Sequence, residues 1–142
     1  MGGRMKDQFS IADPADPANQ RRLNDLTGSL IGLSYKVANT LGRGFVEQVY
    51  QNALAVELRR LGSEVKVEWP VNVYYQNELV GAFRADLFVS DSLLVEVKAC
   101  SQITNQHLAQ CLNYLKASGL PICQVINFSP TGVQPRRVVN NF

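Results

Sequence analysis

The sequence is poor in the residues on which most metal and disulfide chemistry depends. In 142 residues it has one histidine, His107, and three cysteines, Cys100, Cys111 and Cys123. A single imidazole argues against a metal centre built on histidine and leaves oxygen ligands as the main option. An odd number of cysteines without a regular spacing predicts buried thiols in a reducing cytosol and argues against zinc ligation.

Long apolar runs and strong net charge are also missing. No stretch approaches the roughly 20 apolar residues of a membrane span, and the N-terminus shows no apolar segment typical of a signal peptide. We therefore expect a cytoplasmic protein that has no membrane partner. The formal net charge of +2 is too mild to indicate a nucleic-acid partner and does not exclude one. With 46% apolar and 18% charged residues, the composition is that of a soluble globular protein.

The order of the predicted elements indicates an N-terminal tail followed by an α/β domain. Residues 1–20 are polar and carry two Asp-Pro pairs, which predicts a flexible tail, and residues 21–142 are predicted to form a single domain. Apolar spacing and capping residues predict three helices, at about 23–41, 46–61 and 104–119. Alternation and turn residues predict strands at about 64–75, 83–89, 93–99, 122–128 and 136–139, with a break or bulge at Pro70. This order predicts a mixed β-sheet with a central antiparallel hairpin, flanked by helices.

Two of these predicted strands carry charge where a sheet usually has core or plain surface. They are joined by Ser90-Asp91-Ser92, which are good turn residues. If these three residues form the turn, Val89 pairs with Leu93 and Asp86 lies directly opposite Glu96, with Cβ atoms roughly 5 Å apart. Two like charges at this distance repel, so a metal cation or the ammonium of Lys98 is needed to compensate them.

Side-chain alternation assigns the residues of this hairpin to two faces. The first strand is predicted to place Phe83, Ala85, Leu87 and Val89 on one face, and Arg84, Asp86 and Phe88 on the other. On the second strand, the predicted apolar face comprises Leu93, Val95, Val97 and Ala99, and the opposite face comprises Leu94, Glu96 and Lys98.

The charged face of the hairpin suits phosphodiester chemistry. Two carboxylates can hold Mg²⁺ or Mn²⁺ and leave positions for water and substrate phosphate. Such a metal would polarise a phosphodiester and lower the pKa of a bound water. Lys98 could hold or deprotonate the attacking water, and Arg84 could clamp a phosphate oxygen. The alternative is a solvated sheet face with cross-strand salt bridges worth about 0–1 kcal/mol, and the spacing alone leaves both interpretations open.

Further polar residues lie on the predicted helices. Glu47 shares a helix face with leucines, and it is either a third carboxylate of the site or a solvated residue that complements the helix dipole. Gln110 and Tyr114 lie one turn apart on the third helix, away from its leucine stripe. His107 lies one turn before Gln110, so it is either close to the site or a partly exposed helix histidine.

Several segments resemble, in the right order, the GxxExxY family, which is a branch of the PD-(D/E)XK nuclease-like superfamily. Gly44, Glu47 and Tyr50 match the motif of the family name. The other matching segments are Arg84-Ala85-Asp86-Leu87, Glu96-Val97-Lys98, Gln110-Cys111-Leu112-Asn113-Tyr114-Leu115 and Ile126-Asn127-Phe128. The resemblance covers about residues 26–139.

This resemblance implies a restriction-endonuclease-like core and a nuclease that hydrolyses phosphodiester bonds of DNA with Mg²⁺ or Mn²⁺. It also implies roles for individual residues. The implied metal ligands are Glu47, Asp86, Glu96 and the backbone carbonyl of Val97. The expected catalytic residues are Glu47, Asp86, Glu96, Lys98 and Gln110, and the expected substrate-binding residues are Arg84, His107 and Tyr114. Gln110 and Tyr114 match a Q-x-x-x-Y helix that, in related nucleases, supports the site or contacts DNA.

Two other possibilities remain open at this point. The nuclease fold could serve as a non-catalytic module that binds nucleic acid or another partner, with structural carboxylates. A homodimer could also be needed to present two sites to two strands.

Overall fold

Five strands form one mixed sheet in the order β1-β2-β3-β4-β5. The structure is a computed structural model, and it describes residues 16–140. The strands are β1 (Val65–Tyr75), β2 (Glu78–Val89), β3 (Leu93–Lys98), β4 (Ile122–Ser129) and β5 (Gly132–Val139). The helices are α1 (Pro17–Leu41), α2 (Glu47–Arg60) and α3 (Asn105–Ser118). β3 and β4 are parallel and are connected through α3, whereas the other neighbours are antiparallel. The predicted fold class, a mixed sheet with a central antiparallel hairpin between helices, is confirmed.

Helices cover both faces of the sheet and divide the core into two layers. α1 and α2 pack on one face, where Leu30, Leu54 and Val95 are fully buried. α3 packs on the other face, where Leu94 and Leu115 are fully buried. A sheet that is covered on both faces needs apolar side chains at successive positions, which explains the unbroken apolar sequence of β3 before its charged end.

The ends of the helices follow from specific capping residues. The side chain of Asp16 accepts a hydrogen bond from the backbone N–H of Ala18 at 2.9 Å, and Pro17 fits the first helical position. α1 therefore begins at Pro17, and the last four residues of the predicted tail, 17–20, are helical. Residues 1–15 lie outside the described residues. Thr104 caps α3 and Gly119 ends it in the left-handed conformation, as predicted.

The register of the β2–β3 hairpin agrees with the prediction. Val89 pairs with Leu93 and Leu87 pairs with Val95. The turn places Ser90 and Asp91 at a positive φ of 52°, and the backbone N–H of Ser92 donates to the carbonyl of Val89 at 3.1 Å. The next pair in this register is Asp86 and Glu96.

The predicted face assignment of β2 is correct only after Asp86. Leu87 and Val89 pack towards α1 and α2, but Ala85 packs in the α3 layer and the Phe83 ring lies 6.0 Å from the Tyr114 ring on α3. Strict alternation would put these four side chains on one face. The strand therefore changes face at Asp86, and Arg84 is not on the face of Phe88 as predicted.

A left-handed residue in β1 explains this change of face. Glu68 has a φ of 53° and lies between the pairs Val67–Leu87 and Trp69–Ala85, where the ladder has no pair for Glu68 and Asp86. β1 changes face at the same point, since Val67 packs towards α1 and α2 and Trp69 packs in the α3 layer. We name Glu68 and Asp86 the face-switch pair. The β1–β2 ladder is irregular at Glu68 and again between Val73 and Tyr74, where the register shifts, and not at Pro70 as predicted.

Pro70 remains in the ladder opposite Arg84 because β1 is an edge strand, where a missing N–H is tolerated. β5 is longer than predicted and starts at Gly132 instead of Arg136, since a tight turn connects it directly to β4.

Cys111 and Cys123 are buried free thiols, as predicted, and Cys100 is half-buried. Among residues 16–140, no helix has the length and apolar character that crossing a bilayer requires.

Candidate active site

The carboxylates of Asp86 and Glu96 join β2 to β3 where the backbone ladder between these strands ends. Glu96 Oε1 accepts a hydrogen bond from the backbone N–H of Asp86 at 3.0 Å. Asp86 Oδ2 accepts one from the backbone N–H of Val97 at 2.7 Å. Each carboxylate thus binds the backbone of the opposite strand, and each has a second oxygen that these two bonds do not use. The predicted pairing of the two acidic residues is present.

Burial makes this carboxylate pair electrostatically unfavourable. Glu96 is 3% exposed, and burial, together with the nearby charge of Asp86, raises the pKa of its carboxyl to about 8. Burial also raises the pKa of Asp86, although the N–H of Val97 and the charge of Lys98 act in the opposite direction. A cation bound between the two carboxylates would favour their ionised forms and lower both pKa values.

Lys98 is the cation that the chain itself supplies to this site. Its Nζ lies 3.9 Å from Oε2 of Glu96, and its side chain is 16% exposed. This distance is at the limit of an ion pair and leaves the ammonium free to contact a further ligand. Lys98 therefore lies beside Glu96, as predicted, and part of its side chain is exposed to solvent.

Asn127 on β4 holds the segment that follows Lys98. It is fully buried; its Oδ1 accepts from the backbone N–H of Cys100 at 3.0 Å, and its Nδ2 donates to the carbonyl of Cys100 at 2.9 Å. Nδ2 also lies 3.0 Å from Oε1 of Gln134. No role for Asn127 was predicted from the sequence, where it is only part of a segment that resembles the family. Asn127 lies in an otherwise apolar, buried strand, and a buried amide side chain needs hydrogen-bond partners. This polar residue in an apolar strand was the sequence signal for a structural role.

Glu47 approaches the carboxylate pair without joining it. It is the first residue of α2 and is exposed, and its charge contributes to raising the pKa of both Asp86 and Glu96. Within residues 16–140, no three His, Cys, Asp or Glu side chains are grouped closely enough to hold a metal ion. The structure therefore brings Asp86, Glu96 and Lys98 together and leaves Glu47 at the rim.

Gly44 and Tyr50 shape the α1–α2 loop that leads into Glu47. Gly44 has a φ of 95°, which favours glycine, in the loop that connects α1 to α2. The hydroxyl of Tyr50 donates to the carbonyl of Gly42 at 2.7 Å and accepts from the N–H of Phe45 at 3.4 Å. Tyr50 is 1% exposed and stacks on Phe128 of β4. Tyr50 thus attaches the loop that precedes Glu47 to β4 of the sheet.

Glu68 is an acidic residue near the site that the sequence reasoning missed. It is exposed on β1, and its charge contributes to raising the pKa of Asp86. Neither its residue type nor its place in an alternating strand signalled a positive φ. Only the pairing of two long strands in three dimensions reveals its position beside Asp86.

The remaining predicted residues differ in how close they lie to the carboxylates. Tyr114 is buried, and its pKa is raised by burial and by the charges of Glu96 and Asp86, so it lies beside the site. Gln110 is half-buried on α3, one turn before Tyr114. His107 belongs to the cap of α3, where its Nδ1 accepts from the N–H of Thr104 at 3.1 Å. Arg84 is exposed and, after the change of face, does not share the α3 face with Phe88.

The residues present fit a hard divalent cation. Mg²⁺ is commonly held by one or two carboxylates, with water and substrate phosphate completing its octahedron. Asp86 and Glu96 supply two adjacent carboxylates. A bound cation would offset the cost of burying their negative charges and the repulsion between them. The donor set is made of oxygen atoms, and the half-buried His107 is engaged in a helix cap.

A mixed five-stranded sheet flanked by helices is a restriction-endonuclease-like α/β fold, and its central hairpin carries the acidic pair and Lys98. The family model described as the PD-(D/E)XK nuclease superfamily matches residues 24–138, and the chain therefore belongs to this superfamily. Nucleases of the superfamily generally use divalent metal ions.

Two solved structures resemble this fold. The crystal structure of SSO0001 has a TM-score of 0.52 at 16% identity, over 67% of this chain and 50% of that one. An alkaline exonuclease (LHK-Exo) from Laribacter hongkongensis has a TM-score of 0.50 at 11% identity, over 99% of this chain and 76% of that one. The chain spans about half the length of SSO0001. A search among curated proteins found no match.

Proposed function

We propose that the protein is a Mg²⁺-dependent nuclease that hydrolyses phosphodiester bonds of DNA. The observation that carries this proposal is the buried pair Asp86 and Glu96, with the ammonium of Lys98 at 3.9 Å from Glu96. Membership of a nuclease superfamily and the fold of an alkaline exonuclease support the same reaction class. Mn²⁺ is the alternative ion, since it prefers the same ligands.

Each residue has a stated role in this proposal. Asp86 and Glu96 would hold the metal, with the backbone carbonyl of Val97 as a further ligand and Glu47 acting from the rim. The bound metal would polarise the phosphodiester and make a water more acidic. Lys98 would orient that water and stabilise negative charge on the phosphate as it develops.

The other predicted residues act around this centre. Tyr114 is 3% exposed beside the carboxylates, so its role in this proposal is to exclude water from their α3 side, in place of the substrate contact that the sequence predicted. Gln110 would support the site from the preceding turn of α3. Arg84 and His107 stay predictions as substrate contacts, and the Nε2 atom of His107 is not used by the helix cap.

One observation favours a second candidate function. In the described part of the chain, Glu47 does not form a three-carboxylate group with Asp86 and Glu96. A non-catalytic module that binds nucleic acid would keep the carboxylates as structural links between β2 and β3. The two functions differ in metal dependence, which makes them separable by experiment.

The deciding experiment measures cleavage of mixed single- and double-stranded DNA and RNA substrates with Mg²⁺, Mn²⁺ or EDTA. We expect divalent-dependent cleavage of DNA, and a loss of at least about 100-fold in Glu96→Gln and Lys98→Ala. Glu78→Gln and Lys116→Ala are matched controls, since both residues are exposed away from the carboxylates. Equal rates in the site variants and the controls would refute the nuclease. Metal-independent DNA binding without cleavage would favour the module.

We further propose that the chain belongs to the GxxExxY branch of the superfamily and acts in the cytoplasm. Its single domain would extend the predicted residues 21–142 by residues 17–20, because these belong to α1. The loop geometry supports membership of this branch, because each residue of the motif has its own role. Gly44 adopts a positive φ, Glu47 begins α2, and Tyr50 binds the carbonyl of Gly42.

A homodimer is also proposed, and it is supported by the apolar tip of the β1–β2 hairpin. Tyr74, Tyr75, Leu79 and Val80 are between 54% and 68% exposed in this tip, and contiguous exposed apolar surface commonly marks an interface. Light scattering should give a dimer for the wild type and a monomer for the double variant Tyr75→Ser, Val80→Ser. A wild-type monomer at about 100 µM, far above the Kd of a stable dimer, would refute it.

A further inference from the structure

A cleft of about 650 Å³ opens beside the carboxylate site, between the α1–α2 loop and the end of the sheet. Its volume lies within the range of roughly 300–1,000 Å³ of small-molecule sites. Arg43, Phe45, Val46 and Glu47 line it from the loop and the start of α2, and Ala99 and Phe128 line it from the sheet side. Glu47 also belongs to the proposed catalytic site, and Ala99 directly follows Lys98 in the chain, so the cleft adjoins that site. We name it the loop cleft.

The loop exposes two consecutive apolar side chains at the loop cleft. Phe45 is 46% exposed and Val46 is 69% exposed. The ring of Phe45 meets the buried ring of Tyr50 edge-on, with centroids 6.2 Å apart and an interplanar angle of 79°. Tyr50 is itself held by its hydrogen bond to Gly42. Phe45 therefore presents an aromatic surface in a defined orientation, as a stacking platform requires.

Arg43 adds a positive charge to the same loop. It is exposed, and it has no ion-pair partner among residues 16–140. A guanidinium that is not neutralised by a carboxylate is available to a phosphate, which it can bind through two parallel hydrogen bonds. The loop cleft thus combines an aromatic surface with a phosphate-binding group, beside a site for phosphodiester chemistry.

We propose that the loop cleft binds a single unpaired nucleotide of the substrate, next to the phosphodiester that is cleaved. The base stacks on Phe45 and Val46, and Arg43 binds a phosphate of the same strand. A base inside a duplex is not available to such a platform, so the preferred substrate is single-stranded or frayed at this position. The position of the nucleotide relative to the cleaved bond rests on the proposed function, whereas its binding does not.

The test uses a series of fluorescent single-stranded DNA 12-mers, each with one abasic site at a different position. Binding is measured by fluorescence anisotropy in EDTA, where metal-dependent cleavage is suppressed. For the wild type, loss of the base at one or two adjacent positions should weaken binding by about 5- to 100-fold. Phe45→Ala should weaken binding of the intact 12-mer by the same factor and should not respond to the abasic site. Phe45→Leu keeps an apolar side chain for packing against Tyr50, and it should behave like Phe45→Ala.

Arg43→Ala gives an independent measurement. It should weaken the intact and abasic 12-mers equally and reduce the slope of log affinity against log salt by about one. The matched controls are Val56→Ala, which removes a 48% exposed apolar side chain of α2 outside the loop cleft, and Arg60→Ala at the far end of α2. Both should bind like the wild type.

The outcomes separate this inference from the proposed nuclease. An abasic effect that depends on Phe45, in a protein that cleaves no substrate, supports the loop cleft and refutes the nuclease. Metal-dependent cleavage with no position that depends on Phe45 refutes the loop cleft alone. Equal losses in Phe45→Ala and Val56→Ala would also overturn it, because they would assign the effect to any exposed apolar side chain.

Discussion

Acidification should stabilise the metal-free protein, because a buried carboxyl holds its proton better in the folded state. The pKa of Glu96 is raised from 4.5 to about 8, first by burial and then by the charge of Asp86. Below about pH 4.5 the carboxyl is protonated in both states, and its full contribution to stability is present. As the pH rises towards 8, the unfolded chain loses the proton while the folded chain keeps it, so this contribution is lost. The pKa of Asp86 is also raised, which acts in the same direction.

The size of the effect follows from the two pKa values of Glu96. Each pH unit between them costs about 1.4 kcal/mol, and the step from pH 5 to pH 7 costs about 2–3 kcal/mol of unfolding free energy. For a chain of this size, 1 kcal/mol corresponds to about 2–4 °C in Tm. We therefore expect a Tm that is about 5–10 °C lower at pH 7 than at pH 5 on account of this group.

Thermal unfolding in EDTA, followed by circular dichroism at pH 5, 6, 7 and 8, measures this effect. The quantity to compare is the difference in Tm between the wild type and Glu96→Gln, which has no titrating group at this position. This difference should grow with pH in favour of the variant. Glu78→Gln, an exposed carboxyl at the start of β2, should follow the wild type at every pH. A constant difference for Glu96→Gln would refute the burial argument.

Three further substitutions test the geometry around the site, each by urea unfolding. Tyr50→Phe should lose about 1 kcal/mol because it removes the hydrogen bond to the Gly42 carbonyl, and an unchanged midpoint would contradict this. Glu68→Gly should be more stable than Glu68→Val by about 1–2 kcal/mol, since both remove the charge and only glycine accepts a φ of 53° without strain; equal stabilities would show that the backbone is not strained. Asn127→Ala should lose about 2–3 kcal/mol because both backbone groups of Cys100 lose their partner, and a loss below about 1 kcal/mol would contradict the anchoring role.

The register of the hairpin could be predicted because local chemistry determines it. Ser90-Asp91-Ser92 permit a tight turn, and a three-residue turn leaves only one pairing of Val89 with Leu93. That pairing brings Asp86 to Glu96 without any knowledge of the other strands. The apolar pattern of β3 then specified which of its side chains face α1 and α2.

The change of face at Asp86 could not be predicted in the same way. A left-handed residue inside a strand is usually glycine or asparagine, and here it is Glu68, whose residue type does not signal a positive φ. Pro70 nearby was the conspicuous irregularity, and its position at a sheet edge made it harmless. The place of Glu47 depends on how the α1–α2 loop meets β4 through Tyr50, which is a long-range contact.

The hydrogen bonds between each carboxylate and the opposite strand give Asp86 and Glu96 a structural role, because they hold β2 and β3 together. Where the backbone ladder stops, these side chains take over as acceptors for the N–H groups of Asp86 and Val97. A protein of this fold without catalytic activity would still need an acceptor at both positions in order to keep β2 beside β3. Asn and Gln replacements keep that acceptor and abolish the charge, whereas Ala replacements remove both. Comparing amide with alanine variants therefore separates what the carboxylates do for the fold from what they do for a substrate.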